Sequence, residues 1–260
     1  MLRVLICGAG GNMGKQVIKG IAREEDFSIV GGVDPAAGVG EDLGELAGIK
    51  PIGQTVLPSV DQRLAQQQVD IAIDFTYAEA AMENARKLLP HGSDMVIGTT
   101  GFSSRDLEEL RGLSADTGRA VLVAPNFSIG ALLLIKFAGL AAQYLPDSEV
   151  VEMHRSEKRD APSGTALRIA EAIAGEMTGS RQASQAPARG ERIEQVPVHS
   201  LRLSSFIARH DAVFSGPGER LILHHEVVDR SCFIPGVILA CRRLAGTGRF
   251  VYGLENLMGI

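Results

Sequence analysis

The fold of the first half of this chain follows from one stretch, Leu2-Arg-Val-Leu-Ile-Cys-Gly-Ala-Gly-Gly-Asn-Met-Gly14. Its apolar start is typical of a strand covered on both faces. The glycines that follow permit a tight turn into a helix predicted over Met13–Arg23. A second apolar run, Phe27–Val33, ends at Asp34, about 20 residues after the last glycine. Strand, glycine turn, helix, strand and acid in this order predict a dinucleotide-binding site.

The glycine turn and the acid have separate expected roles at that site. The first-turn amides of a helix have no partners inside it, and its dipole favours anions, so we expect a pyrophosphate there. A carboxylate after the second strand is expected to accept the hydroxyls of the adenosine ribose. The residues expected to contact the cofactor here are Gly8, Gly11, Asn12, Met13, Gly14 and Asp34. A glycine turn that serves packing alone is the alternative explanation.

Asp34 also bears on the choice between the two nicotinamide cofactors. The next residues are Pro35, Ala36 and Ala37, which offer no cation. The 2′-phosphate of NADPH would therefore meet a carboxylate without a compensating positive charge. The sequence predicts that NADH is preferred over NADPH.

Short apolar runs alternate with helical patterns as far as Ala124, which predicts a parallel sheet with right-handed crossovers. The further strands are expected at Val69–Phe75, Asp94–Ile97 and Ala120–Ala124, and the helices at Ala78–Leu89 and Ser103–Leu113, with Ser103 or Ser104 as the cap. Loops at the carboxyl ends of such strands bind ligands. We expect nicotinamide contacts from Gly98, Thr99, Thr100, Ala124, Pro125, Asn126 and Phe127. For the two threonines, simple turn chemistry is the alternative.

The pattern changes after this point in the chain. Helices are expected at Ile129–Gln143, Ala166–Met177 and Pro235–Leu244, strands at Glu149–His154, Pro197–Leu203, Ile207–Phe214 and Glu219–Val228, and a mobile loop at Gly179–Arg192. The last three strands are predicted to be antiparallel. The expected fold class is α/β: a Rossmann-like parallel-sheet dinucleotide domain, and a second α+β domain with a mainly antiparallel or mixed sheet. We place the first domain at residues 1–126 and 236–260, and a substrate-binding and oligomerisation domain at residues 127–235.

The segment Val151–Ala166 carries the second chemical signal. It reads Val-Glu-Met-His-Arg-Ser-Glu-Lys-Arg-Asp-Ala-Pro-Ser-Gly-Thr-Ala, so His154 and Lys158 precede a Pro-Ser-Gly-Thr helix start. A proton donor, a cation and a helix N-terminus are thus close together, and they fit carboxylate binding beside proton delivery. An ordinary loop-to-helix connection with charges facing water is the alternative.

Composition excludes several classes of protein. The formal net charge is −5, with 45% hydrophobic and 22% charged residues, which gives no sign of a nucleic-acid surface. No apolar run approaches membrane-spanning length, and the N-terminus does not resemble a signal peptide. Cys7, Cys232 and Cys241 are scattered in apolar sequence and are expected to be buried thiols of a cytoplasmic protein. His210, His224 and His225 lack carboxylate or cysteine partners in the pattern, so no metal is expected.

Taken together, these motifs resemble the 4-hydroxy-tetrahydrodipicolinate reductase family, also called dihydrodipicolinate reductases, of the diaminopimelate–lysine pathway. The resemblance covers nearly the whole chain and depends on the glycine turn, Gly98–Phe102, Ala124–Ser128 and above all Glu152–Ala166. It implies hydride transfer from NAD(P)H to C4 of a cyclic dicarboxylate, with loss of water. It further implies that His154 is the general acid and that Lys158 stabilises the substrate and its developing charge. Ser163, Gly164 and Thr165 are implied to hold a substrate carboxylate, and a homotetramer is implied.

The chain departs from the family pattern at a few positions. Many relatives have a second histidine where this chain has Arg155, which either binds a carboxylate or faces solvent. Asn12 replaces a frequent arginine, which again favours NADH. The segment Leu203–Ile207 lacks the usual glycine, and the turn Phe214–Glu219 looks lengthened.

Two other classes of function are weighed against this one. Another NAD(P)-dependent dehydrogenase of a small dicarboxylate or semialdehyde would share the first half, but it leaves His154–Thr165 unexplained. A semialdehyde enzyme also needs a nucleophilic cysteine, for which Cys7 is badly placed. A catalytically inactive nucleotide sensor would not need His154, Lys158 and Thr165.

Overall fold

The computed structural model describes residues 1–145, 147–177 and 189–260. These residues form two compact units. Unit 1 comprises Met1–Ser128 and Phe233–Gly259, and unit 2 comprises Ile129–Cys232 together with Ile260. The sequence placed the corresponding boundaries after residues 126 and 235. Within the described residues, no helix has the length and apolarity needed to cross a membrane.

Unit 1 is built on a seven-stranded sheet in which every pairing is parallel. Its strands are β1 Leu2–Cys7, β2 Phe27–Val33, β3 Val56–Leu57, β4 Ile71–Asp74, β5 Asp94–Ile97, β6 Val121–Val123 and β12 Phe250–Tyr252. They lie in the order β12-β6-β5-β4-β1-β2-β3. The strands after β1 are thus added first on one side of it, as β2 and β3, and then on the other side, from β4 onward. This arrangement confirms the predicted α/β class and the Rossmann-like sheet.

The helices of unit 1 cover this sheet. They are α1 Asn12–Ile21, α2 Leu43–Ala47, α3 Val60–Leu64, α4 Ala78–Leu88, α5 Ser104–Thr117, α8 Ile234–Leu244 and α9 Leu254–Met258. Ser103 caps α5 as predicted, in a capping box with Asp106. α8 packs closely because Gly236 has no side chain: a Cβ there would lie 2.0 Å from the carbonyl oxygen of Phe127.

Several short elements of unit 1 were not predicted. α2, β3 and α3 occupy a stretch in which no element has more than five residues, too short for a periodic pattern to stand out. Asp42 organises this stretch, since its carboxylate accepts the amides of Gly44 at 2.7 Å and Gly53 at 2.8 Å. β12 and α9, near the end of the chain, were missed for the same reason.

In its described residues, unit 2 has a five-stranded mixed sheet and two α-helices, α6 Ile129–Ala142 and α7 Gly164–Glu176. The strands are β7 Asp147–His154, β8 Glu191–Ile193, β9 Val196–Arg202, β10 Ala208–Gly216 and β11 Glu219–Val227, in the order β11-β10-β7-β9-β8. The mixed sheet confirms the predicted second domain class. The helices bury one face of the sheet, where the core includes Val150, Ile169, Val198, Ala212 and Phe214.

Three details of unit 2 differ from the predictions. β9 is antiparallel to β8, as predicted, but it pairs in parallel with β7, its other neighbour. α7 carries the chain from β7 back across the sheet, as in a β–α–β crossover. Residues 191 and 192 belong to β8 rather than to the predicted loop, and residues 179–188 of that loop lie outside the described residues. The turn between β10 and β11 is a tight hairpin, because Gly216 pairs with Glu219 and leaves Pro217 and Gly218 to turn.

Phe214 gives a direct test of the unit 2 core. Its side chain is fully buried, whereas Phe137 on α6 is 48% exposed. We expect Phe214→Ala to lower the free energy of unfolding by about 3–5 kcal/mol, because it leaves a cavity. Phe137→Ala should change it by about 0.5 kcal/mol or less, as at most surface sites. Urea unfolding followed by circular dichroism measures both; similar losses in the two variants would contradict this view of the core.

Candidate active site

The glycine turn of unit 1 brings backbone close to backbone. Gly8 has a φ of +79°, and a Cβ at this position would lie 3.0 Å from the carbonyl oxygen of Phe75. A Cβ on Gly14 would lie 2.1 Å from the carbonyl oxygen of Gly8. α1 starts at Asn12 after Gly11, and no side chain caps it. The first-turn amides are therefore left for a ligand, which fits the pyrophosphate of a dinucleotide.

Asp34 lies at the end of β2 and is fixed by the same turn. Its carboxylate accepts the amide of Gly10 at 3.1 Å, Ala36 at 3.0 Å and Ala37 at 2.9 Å. A carboxylate has about four acceptor positions, so room remains for a ribose hydroxyl. Residues 35–37 are exposed and bring no cation to this edge.

Asp74, the last residue of β4, is a site residue whose role was not predicted. It has no exposed surface, and its carboxylate accepts hydrogen bonds from Thr76, Thr99 and Asn84. Burial raises the pKa of this carboxyl, and the hydrogen bonds act in the opposite direction. Asp74 thereby ties together the loops that follow β4 and β5. The available signal for this role was an acidic residue at the end of a buried apolar strand.

The two loops expected to hold a nicotinamide lie at the carboxyl ends of β5 and β6, on the same sheet edge. Thr99 and Phe127 are buried, and the Phe127 ring lies 5.6 Å from the Phe75 ring. Gly98 is required by that packing, since a Cβ there would lie 2.1 Å from the Phe75 ring. The residues that remain accessible to a ligand are Thr100, Pro125 and Asn126, while Ala124 is buried and bonded through its amide to Ile97.

In unit 2, the Pro-Ser-Gly-Thr segment forms the start of α7 as predicted. Ser163 is the N-cap, and its hydroxyl accepts the amide of Ala166 at 3.3 Å. Gly164 and Thr165 are the first helical residues, so their amides have no acceptor inside the helix. The peptide bond between Ala161 and Pro162 is cis. This N-terminus can bind an anionic group of a ligand.

His154 is the last residue of β7, and its imidazole is paired with a buried carboxylate. Nδ1 of His154 is hydrogen-bonded to Glu152, which has no exposed surface. The other oxygen of Glu152 accepts a hydrogen bond from Arg202 on β9 at 2.8 Å, and Ser200 also donates to the carboxylate. Burial alone raises the pKa of Glu152, but these three hydrogen bonds outweigh it and hold the pKa at about 2.

Lys158 lies in the loop between β7 and α7, and Arg202 fixes that loop. The guanidinium of Arg202 donates to the backbone carbonyls of Lys158 at 3.2 Å and Asp160 at 2.6 Å. The ammonium group of Lys158 is paired with the carboxylate of Asp160 at 2.7 Å. Arg155 is exposed on the same loop. The role of Arg202 was not predicted, because this residue is remote from the loop along the chain.

His210 on β10 is a second residue for which the sequence assigned no site role. Its Nε2 lies 3.2 Å from the hydroxyl of Ser163, and its ring meets that of His154 edge-on at 5.3 Å. Burial lowers its pKa to about 3, and the nearby His154 adds to this effect. His210 pairs with Glu152 across the sheet, so both side chains lie on the helix-covered face.

His224 of unit 2 has a carboxylate partner that the sequence pattern did not reveal. His224 is paired with Asp211 at 2.5 Å, contrary to the expectation. Glu152, His154 and His210 place three possible metal ligand atoms within 4.8 Å of one another. Because the guanidinium of Arg202 already neutralises Glu152, we interpret this group as a hydrogen-bonded network.

Comparisons with known proteins match both halves of the chain. The family model of dihydrodipicolinate reductase, N-terminus, matches residues 2–127, and that of dihydrodipicolinate reductase, C-terminus, matches residues 130–258. Curated relatives named 4-hydroxy-tetrahydrodipicolinate reductase include those of Dictyoglomus turgidum, 38% identical, and Moorella thermoacetica, 39% identical. Each comparison covers 99% of this chain and 98% of the relative.

Solved structures agree with the family models. The dipicolinate-bound dihydrodipicolinate reductase from Paenisporosarcina sp. TG-14 is 34% identical, with a TM-score of 0.84 over 98% of this chain and 99% of that one. An amine dehydrogenase from Mycobacterium smegmatis is 13% identical with a TM-score of 0.64, covers 95% of each chain, and shares the fold alone. Because both family models match and full-length relatives exceed 30% identity, this chain belongs to the dihydrodipicolinate reductase family.

Proposed function

We propose that this family member reduces 4-hydroxy-tetrahydrodipicolinate with His154 as the general acid and Lys158 as the cation that stabilises the substrate. The reductase role is that of the family: the chain is an NAD(P)H-dependent oxidoreductase of the diaminopimelate–lysine pathway. The residue roles are supported by one observation in unit 2. A single hydrogen-bonded network connects His154 through Glu152 and Arg202 to the loop of Lys158.

The reaction consumes one hydride and one proton for each molecule of product. Loss of the C4 hydroxyl as water leaves a ring double bond conjugated with the imine. A hydride supplied by the bound cofactor would add to C4, and the electron pair of that double bond would move toward the ring nitrogen. A proton then completes tetrahydrodipicolinate. A histidine is suited to supply it, since its ordinary pKa lies near neutrality.

The substrate has two carboxylates, and unit 2 offers groups for both. Ser163 and the amides of Gly164 and Thr165 are the proposed binding site for one of them. Lys158 and the exposed Arg155 are the proposed cations for the remaining negative charge. Lys158 is paired with Asp160 in the structure, but the Asp160 side chain is 60% exposed. An exposed pair of this kind is weak, so an incoming carboxylate can displace Asp160.

The N-terminal family region is a nicotinamide nucleotide-binding domain, and we propose that it prefers NADH. Asp34 and the absence of a cation at residues 35–37 support this preference. The proposed cofactor contacts are the amides at the start of α1, the carboxylate of Asp34, and the loops Gly98–Thr100 and Ala124–Phe127. When bound, the cofactor supplies the hydride, and these residues hold and orient it.

The two alternative functions receive less support. A semialdehyde dehydrogenase needs a reactive thiol, but Cys7 is fully buried and burial raises its pKa well above the ordinary value. A nucleotide sensor without catalysis would have no use for the buried Glu152–His154 pair. We also propose a cytoplasmic location, which the three free cysteines support, since cytoplasmic thiols stay reduced.

We further propose a homotetramer formed through the open face of the unit 2 sheet. The helices cover one face, and the alternate side chains of β10 and β11 lie on the other. Exposed apolar side chains on or beside β9, β10 and β11 include Leu201, Leu203, Ile207, Ile222 and Val228. An apolar surface of this kind on a monomer is typical of a protein interface.

Substitution of His154 tests its proposed role as the general acid. His154→Gln removes the proton donor, so turnover should fall by roughly 10²–10⁴-fold. The assay couples the chain to a dihydrodipicolinate synthase reaction and follows the absorbance of NADH. His91→Gln, at an exposed histidine of unit 1, is the control and should retain full activity. An unchanged rate in His154→Gln would remove this residue from the mechanism, and the absence of oxidation with either cofactor would overturn the reductase role.

The second prediction concerns the cofactor. The unaltered chain should show a higher kcat/KM with NADH than with NADPH. Asp34→Ala removes hydrogen bonds to a charged acceptor, so kcat/KM with NADH should fall roughly tenfold or more, with a smaller change for NADPH. Asp116→Ala, at an exposed position of α5, is the matched control. A clear preference of the unaltered chain for NADPH would contradict the role of Asp34.

The third prediction concerns the assembly. Sedimentation velocity should give a particle of four times the 27.6 kDa of one chain. Ile222→Asp places a charge on the open sheet face and should shift the distribution to smaller species. Tyr144→Asp, at a 77% exposed position beside the end of α6, should leave it unchanged. A monomer for the unaltered chain, or equal effects of the two variants, would rule out this interface.

A further inference from the structure

Glu152 and His154 lie two residues apart on β7, so their side chains lie on the same face of the sheet. This face is covered by α6 and α7, and Glu152 is fully buried. A buried carboxylate is stable only when hydrogen bonds and opposite charge compensate for the lost water. Arg202 and Ser200 provide such compensation on one side, and the imidazole of His154 provides it on the other.

The direction of the hydrogen bond follows from the state of the carboxylate. With a pKa of about 2, Glu152 is ionised throughout the working range of an enzyme. An ionised carboxylate can only accept hydrogen bonds. The proton in the bond to His154 therefore belongs to Nδ1, and the exchangeable proton of the imidazolium belongs to Nε2.

We propose that Glu152 is the positioning residue of the proton transfer: by accepting the Nδ1–H of His154, it fixes the ring and leaves Nε2 as the nitrogen that delivers the proton. This inference rests on the proposed role of His154 as the acid. Glu152 itself does not contact the substrate in this proposal.

Arg202 extends the same arrangement to the second functional residue. One guanidinium donates to Glu152 and to the backbone carbonyls of Lys158 and Asp160. The ring of His154 and the loop of Lys158 are therefore held by a common group. Movement of this loop would disturb the carboxylate that orients the acid, so the two residues are positioned together.

A second histidine–carboxylate pair, between Glu149 of β7 and His199 of β9, provides an internal comparison. Glu149 accepts from Nε2 of His199 at 2.8 Å and also pairs with Arg189. Its side chain is 27% exposed, however, and it lies on the opposite face of the sheet from Glu152. Glu149→Gln thus changes a carboxylate to an amide in a similar pair outside the proposed site.

Glu152→Gln should reverse the hydrogen bond to His154. Arg202 has only donors, so it retains the amide oxygen of the new side chain and leaves the NH2 group facing Nδ1. An NH2 group there can only donate, so it cannot accept the Nδ1–H of the delivering ring. The orientation that leaves Nε2 to deliver the proton is then lost, although the shape of the side chain is nearly unchanged.

The experiment compares Glu152→Gln with Glu149→Gln in the synthase-coupled assay. Glu152→Gln should lower kcat by about 10–100-fold, with KM and the dissociation constant of dipicolinate within about twofold of the unaltered chain. The solvent isotope effect on kcat should rise, and the effect of deuterated NADH should shrink, because proton delivery becomes limiting. Glu149→Gln should change none of these. Loss of dipicolinate binding in step with kcat would mean a structural role and would overturn the proposal.

A double variant distinguishes the positioning role of Glu152 from the acid role of His154. If Glu152 acts through His154, Glu152→Gln should cost nothing further in a His154→Gln background. Additive losses would contradict the positioning role. A slow His154→Gln beside a fully active Glu152→Gln would refute this inference alone, whereas a fully active His154→Gln would refute the acid assignment. If Glu152→Gln fails to fold, Glu152→Asp keeps the charge beside Arg202 and withdraws it from His154; full activity there would equally overturn the proposal.

Discussion

A charged carboxylate buried beneath His154 is the interaction on which the chemistry of unit 2 depends. Glu152 cannot be removed from water unless donors surround it, and those donors come from β7 itself and from β9. The parallel pairing of β9 with β7 is what brings Arg202 beside His154 in register. The mixed topology of this sheet is therefore part of the site, because an antiparallel neighbour in other register would place different side chains there.

Unit 1 also buries a carboxylate, but different kinds of donor compensate for its lost water. Asp74 is as deeply buried as Glu152, but its partners are hydroxyls, an amide and a backbone N–H rather than a guanidinium. It secures the loops at the carboxyl ends of the strands without adding a positive charge. Glycines at 8 and 14 then let the backbone approach closely enough to leave the first amides of α1 for a ligand. Each unit thus combines a helix N-terminus with a buried acid that fixes the adjacent loops.

Local patterns were sufficient to predict much of this architecture. The first strand, the glycine turn, the helix and Asp34 are consecutive along the chain, and so are His154, Lys158 and Ser163. The partners of these residues are remote: Arg202 is 50 residues from Glu152, and His210 is 47 residues from Ser163. No periodicity within one segment indicates such pairs, because strand order and register decide them. The same limit explains why the parallel pairing of β9 with β7 was not predicted and why the carboxylate partner of His224 was missed.

In the proposed reaction, hydride from the nicotinamide reaches C4 of the substrate while the C4 hydroxyl is lost as water. Mass spectrometry of the product formed with NADH deuterated at the transferable position of its nicotinamide ring tests this reaction. The product should be tetrahydrodipicolinate with a single deuterium at C4, and one cofactor should be oxidised for each product. A product without deuterium, or one that retains the hydroxyl, would contradict it.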